Sequence, residues 1–328
     1  MKVLVTGGSG FIGSNFIKYL HDNSRDFNIE KIINVDKLTY AGRGNNLEHM
    51  NINKKYSFYL SDIGDKKNMR EIFSKEKPNY VFNFAAESHV DKSIVNSSDF
   101  IKTNIIGALN LFEASLENKI KKFIQISTDE VYGSIKEGSF TEKDTLSPSN
   151  PYSGSKASAD LLALSYFKTH NLPILITRSA NNFGPYQFPE KLLPLFITNL
   201  IQGKKVPLMW SEENPALNVR DWLHVEDNAR AIWFLSNNGE NGQIYNIPGS
   251  GERTNYEITK DLLEIFSLNF DMVEKIPHRK GHDFRYSINR EKLFNLGFNH
   301  KRTNVREELE SLCNWYIDNE RWWLPLKK

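Results

Sequence analysis

Glycines at positions 7, 10 and 13, set between a short apolar run and a helical one, constrain this chain more than any other feature. Val3-Leu4-Val5 reads as a buried strand, and Ser14 to Leu20 has helical periodicity. In that order the first glycine permits a tight turn, the second lets backbone approach a pyrophosphate, and the third lets helix and strand pack closely. The phosphate then meets the helix N-terminus, where unpaired N–H groups and the helix dipole favour an anion. The spacing is G-x-x-G-x-x-G rather than G-x-G-x-x-G, so the flanking strand and helix carry the reading. A second strand, Lys31 to Val35, ends at Asp36, about 20 residues beyond the last glycine, where a carboxylate meets the adenosine ribose hydroxyls. It would repel a 2′-phosphate, so the sequence predicts NAD rather than NADP. Lys37 and Arg43 stand nearby and weaken that preference.

Further strand patterns predict an α/β fold, a doubly wound parallel sheet of Rossmann type followed by a smaller C-terminal α/β substrate-binding domain. Tyr56 to Leu60 ends in Ser61-Asp62-Ile63, Tyr80 to Phe84 runs into Ala85-Ala86, and Lys122 to Ile126 delivers Ser127 and Thr128. The carboxyl ends of such strands gather at the ligand crevice. Asp62 either caps the adenine or N-caps a helix predicted over Gly64 to Phe73. Ala85-Ala86 leaves room for a cofactor to pass.

Thr128-Asp129-Glu130, at the end of that last strand, joins with Tyr152 and Lys156 as a candidate reaction centre. A Tyr four residues before a Lys places both on one helix face. The ammonium then favours the phenolate, which makes Tyr152 a candidate base. Two adjacent carboxylates supply an acid and a base where their environments push their pKa values apart. Proximity alone permits either assignment.

With 42 Lys+Arg against 40 Asp+Glu and no basic tract, the chain offers no nucleic-acid surface. Cys313 is the single cysteine, which excludes an intramolecular disulfide and a cysteine metal cluster and fits a reducing compartment. No metal site is expected. The N-terminus lacks the apolar core of a signal peptide, and no run approaches the ~18 apolar residues of a membrane helix. A soluble cytoplasmic protein follows as the expectation.

The motifs Thr-Gly-Gly-x-Gly-Phe-Ile-Gly, Asp36-Lys37-Leu38-Thr39-Tyr40-Ala41-Gly42, Ala85-Ala86-Glu87-Ser88-His89-Val90-Asp91, Thr128-Asp129-Glu130-Val131-Tyr132-Gly133 and Tyr152-Ser153-Gly154-Ser155-Lys156 resemble the extended short-chain dehydrogenase/reductases. Among these, the closest resemblance is to the dTDP-glucose 4,6-dehydratases. It continues through Asn181 to Tyr186, Arg220-Asp221-Trp222 and Arg279 to Tyr286, and so covers nearly the whole chain. Asp129 discriminates, because the related 4-epimerases have no Asp-Glu pair there, and GDP-mannose dehydratases and UDP-glucuronate decarboxylases usually have Ser-Glu. The resemblance implies an NAD-dependent lyase of deoxysugar formation, such as that of dTDP-rhamnose, acting as a homodimer paired through the helical stretches Ser97 to Asn118 and Tyr152 to His170. It assigns Asp129 as the acid and Glu130 as the base. It also implies that Gly7, Gly10, Phe11, Ile12, Gly13, Asp36, Lys37, Thr39, Asp62, Ile63, Ala85, Ala86, Ser88, Tyr152 and Lys156 hold the cofactor. Ser88, His89, Thr128, Asn181, Lys191, Arg220, Asn255, Arg279 and His282 would meet the nucleotide sugar. Another sugar-nucleotide dehydratase or epimerase, and a non-catalytic NAD sensor, are the alternatives.

A cluster of turn residues over Asn181 to Tyr186 marks a change of domain. Residues 1–181 with about 221–250 are expected to bind NAD, and about 182–220 with 251–328 to bind the sugar nucleotide. Helices are predicted over Lys191 to Gly203, Trp222 to Leu235, Tyr256 to Phe266 and Val305 to Asn319, and short strands over Lys204 to Trp210 and Ile244 to Ile247. Trp315, Trp322 and Trp323 read as packing residues.

Overall fold

Apolar runs near the N-terminus become β1 (Lys2–Thr6), β2 (Lys31–Asp36), β3 (Tyr56–Leu60), β4 (Tyr80–Asn83), β5 (Lys122–Thr128) and β6 (Ile174–Ser179) in the computed structural model, which describes residues 1–50, 55–278 and 283–327. Later in the chain come β7 (Asn181–Phe183), β8 (Val206–Met209), β9 (Val219–His224), β10 (Ile244–Ile247), β11 (Glu252–Thr254) and β12 (Val273–Ile276). Seven strands form one sheet in the order β10-β6-β5-β4-β1-β2-β3, and every pairing in it is parallel. A parallel sheet is covered on both faces, which is why β5 is buried along its whole length. One face packs on helices Phe11–Asp22 and Val225–Asn238 through Phe16, Ile17, Leu20, Ile232 and Leu235. The other packs on Lys66–Glu76, Ala108–Glu117 and Pro151–His170 through Phe73, Leu111, Phe112, Ala159 and Ala163. The strand order reverses between β1 and β4, and the glycine loop lies at that reversal, where open α/β sheets bind ligands.

Strands β11, β9 and β7 form a small second sheet, and β12 pairs with β8. A separate apolar cluster, including Phe183, Phe196, Ile258, Leu309, Tyr316 and Trp323, lies beneath them. Trp323 is fully buried there and donates its indole N–H to Tyr316 O at 2.7 Å, so it packs as expected. No described helix is long and apolar enough to cross a membrane.

Local chemistry sets the position of the helix that carries Tyr152 and Lys156. Asn150 caps it by accepting from Ser153 N at 3.0 Å, and Pro151 occupies the first turn, where a missing N–H costs nothing. Two expectations need correction. The stretch Ser97 to Asn118 is not one regular helix, because Ile101–Gly107 winds as a π-helix between Ser98–Phe100 and Ala108–Glu117. Trp222 to His224 are not helical either. They continue β9, held by β7 on one side, and the helix begins only at Val225, where His224 Nδ1 accepts from Glu226 N.

Close backbone approach explains the first glycine. Gly7 has φ +68°, and a Cβ there would stand 2.5 Å from Ala85 N. Gly7→Ala should therefore cost about 1–3 kcal/mol from the left-handed backbone alone, with the collision added, and the urea midpoint should fall well below that of the unmodified chain.

Candidate active site

The carboxyl ends of the sheet open into a cleft of about 1630 Å³, its open mouth included. Its floor is the glycine loop, one wall comes from the segments after β2, β3 and β4, and the other from residues 179–191 and Asn228. Every residue predicted to hold the cofactor lines it, as do all five of the candidate reaction centre.

Asp36 is 8% exposed, and its two carboxylate oxygens accept from Leu38 N at 2.8 Å and Ser9 N at 2.9 Å. These bonds aim the carboxylate across the glycine loop. Lys37 is engaged elsewhere, 3.3 Å from Glu87 Oε1, 3.9 Å from Asp62 Oδ2 and 3.1 Å from Thr103 Oγ1. Arg43 does not line the cleft. Of the two cations expected to weaken the preference for NAD, Lys37 lines the cleft but is paired with Glu87 and Asp62. Asp62 is not a helix cap, since that place belongs to Asp65, which accepts from Asn68 N. It instead accepts from Gly64 N and faces the cleft.

At the inner end, Thr128 Oγ1 donates to Asp129 Oδ1 at 3.1 Å and accepts from Glu130 N at 3.3 Å. Asp129 is 3% exposed, and its Oδ2 is buried with no hydrogen-bond partner. Burial first, and then the charge of Glu130, push its carboxyl up to about 8, so it carries a proton at neutral pH. Lys156, on the Tyr152 helix, donates to Ile126 O at 2.6 Å, and burial pushes its ammonium down to about 8 against the pull of Asp160. The phenol of Tyr152 is raised, by burial first and then by Glu130 and Asp129, with the Thr128 hydroxyl opposing. The expected lowering of that phenol by Lys156 is therefore not what this arrangement does by itself. The ammonium is bonded to a carbonyl, and the charges of Glu130, Asp129 and Asp160 all oppose the phenolate.

Ser88, Thr128, Asn181 and Lys191, predicted for the sugar nucleotide, also line the cleft, and Asn181 Oδ1 is buried without a partner. His89, Arg220 and Asn255 do not line it. His89 caps the short helix after Ser88 with its ring 3.5 Å from Glu190, which does line the cleft. Arg220 lies on the Tyr286 ring at 4.4 Å, donates to Asp283 O, and acts electrostatically on Asp129. Asn255 is buried and starts helix Asn255–Ile265. Arg279 and His282 lie outside the described residues.

A family profile described as GDP-mannose 4,6 dehydratase matches residues 4–305. The dTDP-glucose 4,6-dehydratase of Streptomyces antibioticus is 42% identical over 331 residues, covering 100% of this chain and 96% of that protein. The chain belongs to the dTDP-glucose 4,6-dehydratase family. The solved dTDP-glucose 4,6-dehydratase DesIV of Streptomyces venezuelae, with NAD and dTDP bound, is 41% identical and superposes with a TM-score of 0.95 over 100% of both chains. UDP-glucose 4-epimerase from Thermotoga maritima, solved with UDP-glucose, shares the fold at 30% identity and a TM-score of 0.88, over 98% of this chain and 100% of that one.

Sequence reasoning missed how this dehydratase-family cleft is braced. Asn104, in the π-helix, accepts from Glu87 N at 2.9 Å and donates to Glu87 O at 3.0 Å and Ser155 Oγ at 2.8 Å. It ties the segment after β4 to the Tyr152 helix. Thr103 beside it meets Lys37, and the wide turn lets both neighbours point inward. Polar residues inside an apolar helical stretch were the available signal.

These residues fit a dinucleotide: the Gly7–Ala85 approach leaves no side chain where pyrophosphate would pass, and Asp36 is already aimed. NAD should bind at least about tenfold more tightly than NADP in calorimetry, and Asp36→Ala should narrow the gap, since one lost bond to a charged group is worth about 1.5–3 kcal/mol. Equal affinities in the unmodified chain would refute this account of Asp36.

Proposed function

We propose that this chain is a dTDP-glucose 4,6-dehydratase, an NAD-dependent hydro-lyase that converts dTDP-glucose to dTDP-4-keto-6-deoxyglucose and water. The observation that carries the reading is Asp129, a buried carboxyl that holds its proton up to about pH 8 beside a second carboxylate, in a cleft fit for a dinucleotide. Hydride transfer alone needs no such acid. Loss of a hydroxyl does.

When bound, NAD would supply the acceptor for hydride from C4 and the donor for C6, which keeps the reaction redox-neutral, and its oxidised nicotinamide ring would bring a positive charge into the cleft. Tyr152 takes the proton of the 4-hydroxyl, and Thr128 holds the 4-oxygen. Lys156 supplies a cation on the same helix face, held in place by Ile126 O. Below about pH 8 Asp129 is neutral, which removes one of the three carboxylate charges, those of Glu130, Asp129 and Asp160, that oppose a phenolate at Tyr152. A 4-ketone acidifies C5, so Glu130 can take that proton while Asp129 gives its own to the 6-hydroxyl, which leaves as water; as C6 receives the hydride Glu130 returns the proton to C5, and the proton held by Tyr152 makes good the one Asp129 gave up. Asn181 and Lys191, at the second wall, are read as sugar-nucleotide ligands, within a substrate-binding unit of about 182–220 and 251–328.

The sign of the pH dependence follows from the raised carboxyl. Asp129 holds its proton below about 8 and loses it above, so elimination should fall about tenfold per pH unit beyond that point, the titration law for a required acid. Asp129→Asn should form 4-keto product about 100-fold or more slowly while the absorbance of reduced dinucleotide still appears on adding dTDP-glucose. Tyr152→Phe should suppress that absorbance itself. Product formation by Asp129→Asn at the unmodified rate would sink the reading.

We also read the chain as a homodimer. Ile94, Val95, Ile101, Ile106 and Leu161 are exposed on the helical stretches 90–107 and 151–170, Val95 to 89%, and an isologous pairing would cover them. Sedimentation at micromolar concentration should give twice the chain mass, and Val95→Glu should shift it toward the monomer.

A further inference from the structure

The two walls of the cleft are joined by side chains that the reaction does not use. Tyr40 stands in the loop after β2 between Thr39 and Ala41, which both line the cleft. Its hydroxyl donates to Glu190 Oε1 at 3.0 Å, across 150 residues of sequence. Phe188 meets the Tyr40 ring edge-on at 5.4 Å, and the Lys92 ammonium stands 3.2 Å from the centre of that ring. Glu190 Oε2 is 3.5 Å from His89 Nε2, so both carboxylate oxygens face the opposite wall.

The loop that carries Phe188 and Glu190 is itself anchored. Tyr186 packs edge-on against Trp315 at 4.9 Å and Trp322 at 5.5 Å, and Tyr316 donates to Gln187 O at 2.6 Å. Trp322 Nε1 also donates to Asn46 Oδ1 at 2.9 Å, while Asn46 Nδ2 donates to Ser9 O at 2.9 Å on the glycine loop. The C-terminal helices thus tie the second wall to the nucleotide cradle behind the cleft. Tyr40 and Glu190 tie it in front.

We propose that Tyr40 and Glu190 form a clasp that retains the dinucleotide from one turnover to the next. They are positioning residues, with no part in proton transfer. The proposal rests on the reading of a lyase that reduces and reoxidises the same dinucleotide. Such an enzyme gains nothing by exchanging its cofactor, and it stalls if the reduced form escapes before C6 receives the hydride. An ordinary dehydrogenase must exchange at every turnover and would be slowed by the same bond.

The test is isotope exchange without any sugar nucleotide. Holoenzyme loaded with labelled NAD is diluted into unlabelled NAD, and the label retained is followed over time. Tyr40→Phe keeps the ring against Phe188 and Lys92 but loses the hydroxyl, and Glu190→Gln keeps the shape but loses the charge. Each should exchange about tenfold faster, the value of one hydrogen bond to a charged group. The double variant should exchange more slowly than the product of the two single effects predicts, because both act on the Tyr40–Glu190 bond. With dTDP-glucose and excess NAD present, Tyr40→Phe, whose side chain does not line the cleft, should keep its kcat. Unaltered exchange in both single variants overturns the clasp, and so does a double variant whose effect is the product of the two. Lost turnover with unaltered exchange also overturns it, because the residues would then act in the chemistry. An unmodified chain that retains no NAD removes the basis of the clasp. Faster exchange in the variants of a chain that dehydrates no sugar nucleotide would uphold the clasp and sink the dehydratase reading.

Discussion

Arg178 and Asp160 form an ion pair at 2.9 Å in which the side chains are 2% and 0% exposed, and the site is assembled around it. Arg178 lies on β6 and Asp160 on helix Pro151–His170, while Ser127 of β5 donates to the same Asp160 oxygen at 3.0 Å. The guanidinium also lies 4.7 Å from the Tyr132 ring, whose hydroxyl donates to Asn246 of β10 at 2.9 Å. Burying two charges brings little stability in itself, because desolvation offsets most of the attraction and apolar residues of similar size often do as well. What this pair fixes is rotation and register. Asp160 is one helical turn beyond Lys156 and two beyond Tyr152, so clamping Asp160 to β5 and β6 aims both side chains at the end of β5. That strand end carries Thr128, Asp129 and Glu130.

Burial is also the common cause behind the unusual protonation of the site. The same exclusion of water that raises the Asp129 carboxyl to about 8 lowers the Lys156 ammonium to about 8 and raises the Tyr152 phenol. These shifts help the proposed acid and hinder the proposed base. A Tyr-x-x-x-Lys spacing suggests that the lysine alone activates the tyrosine, but here the lysine is held by a carbonyl and the phenol faces carboxyl groups. Activation of Tyr152 therefore draws on more than its neighbour on the helix. Neutrality of Asp129 and the positive charge of an oxidised nicotinamide ring would both act in the required direction.

How much of this could be read beforehand depended on whether the determining contacts were local. Strands Tyr56–Leu60 and Ile244–Ile247 appear with the expected ends, and the cofactor residues converge as expected, because apolar runs and glycines encode them within a few neighbouring positions. The helix expected from Trp222 began three residues late, since pairing of β9 with β7 and β11, remote in sequence, outweighed an apolar periodicity that suits either state. The π-turn at Ile101–Gly107 has no simple signature. Within it Asn104 reaches both Glu87 and Ser155, partners that only the folded sheet brings near. The contact between Tyr40 and Glu190 has no local signature for the same reason: nothing in either loop announces a partner 150 residues away.

Sugar-nucleotide 4-epimerases share this fold, so the sheet, the glycine loop and the tyrosine–lysine helix do not by themselves select dehydration. A dinucleotide cleft with an aimed Tyr and Lys supports oxidation at C4, and what happens to the ketone is then decided by the groups beside it. Here that position is Asp129, next to Glu130, buried against Thr128 with one oxygen unpartnered. A carboxyl left exposed at the same place would ionise near its ordinary value and could not protonate a hydroxyl at neutral pH. The fold's contribution to specificity is therefore dryness. By burying the end of β5 it fits an ordinary aspartate for the proposed acid's part, and by joining the cleft walls at Tyr40 and Glu190 it forms the proposed clasp for the dinucleotide on which that acid's work would depend.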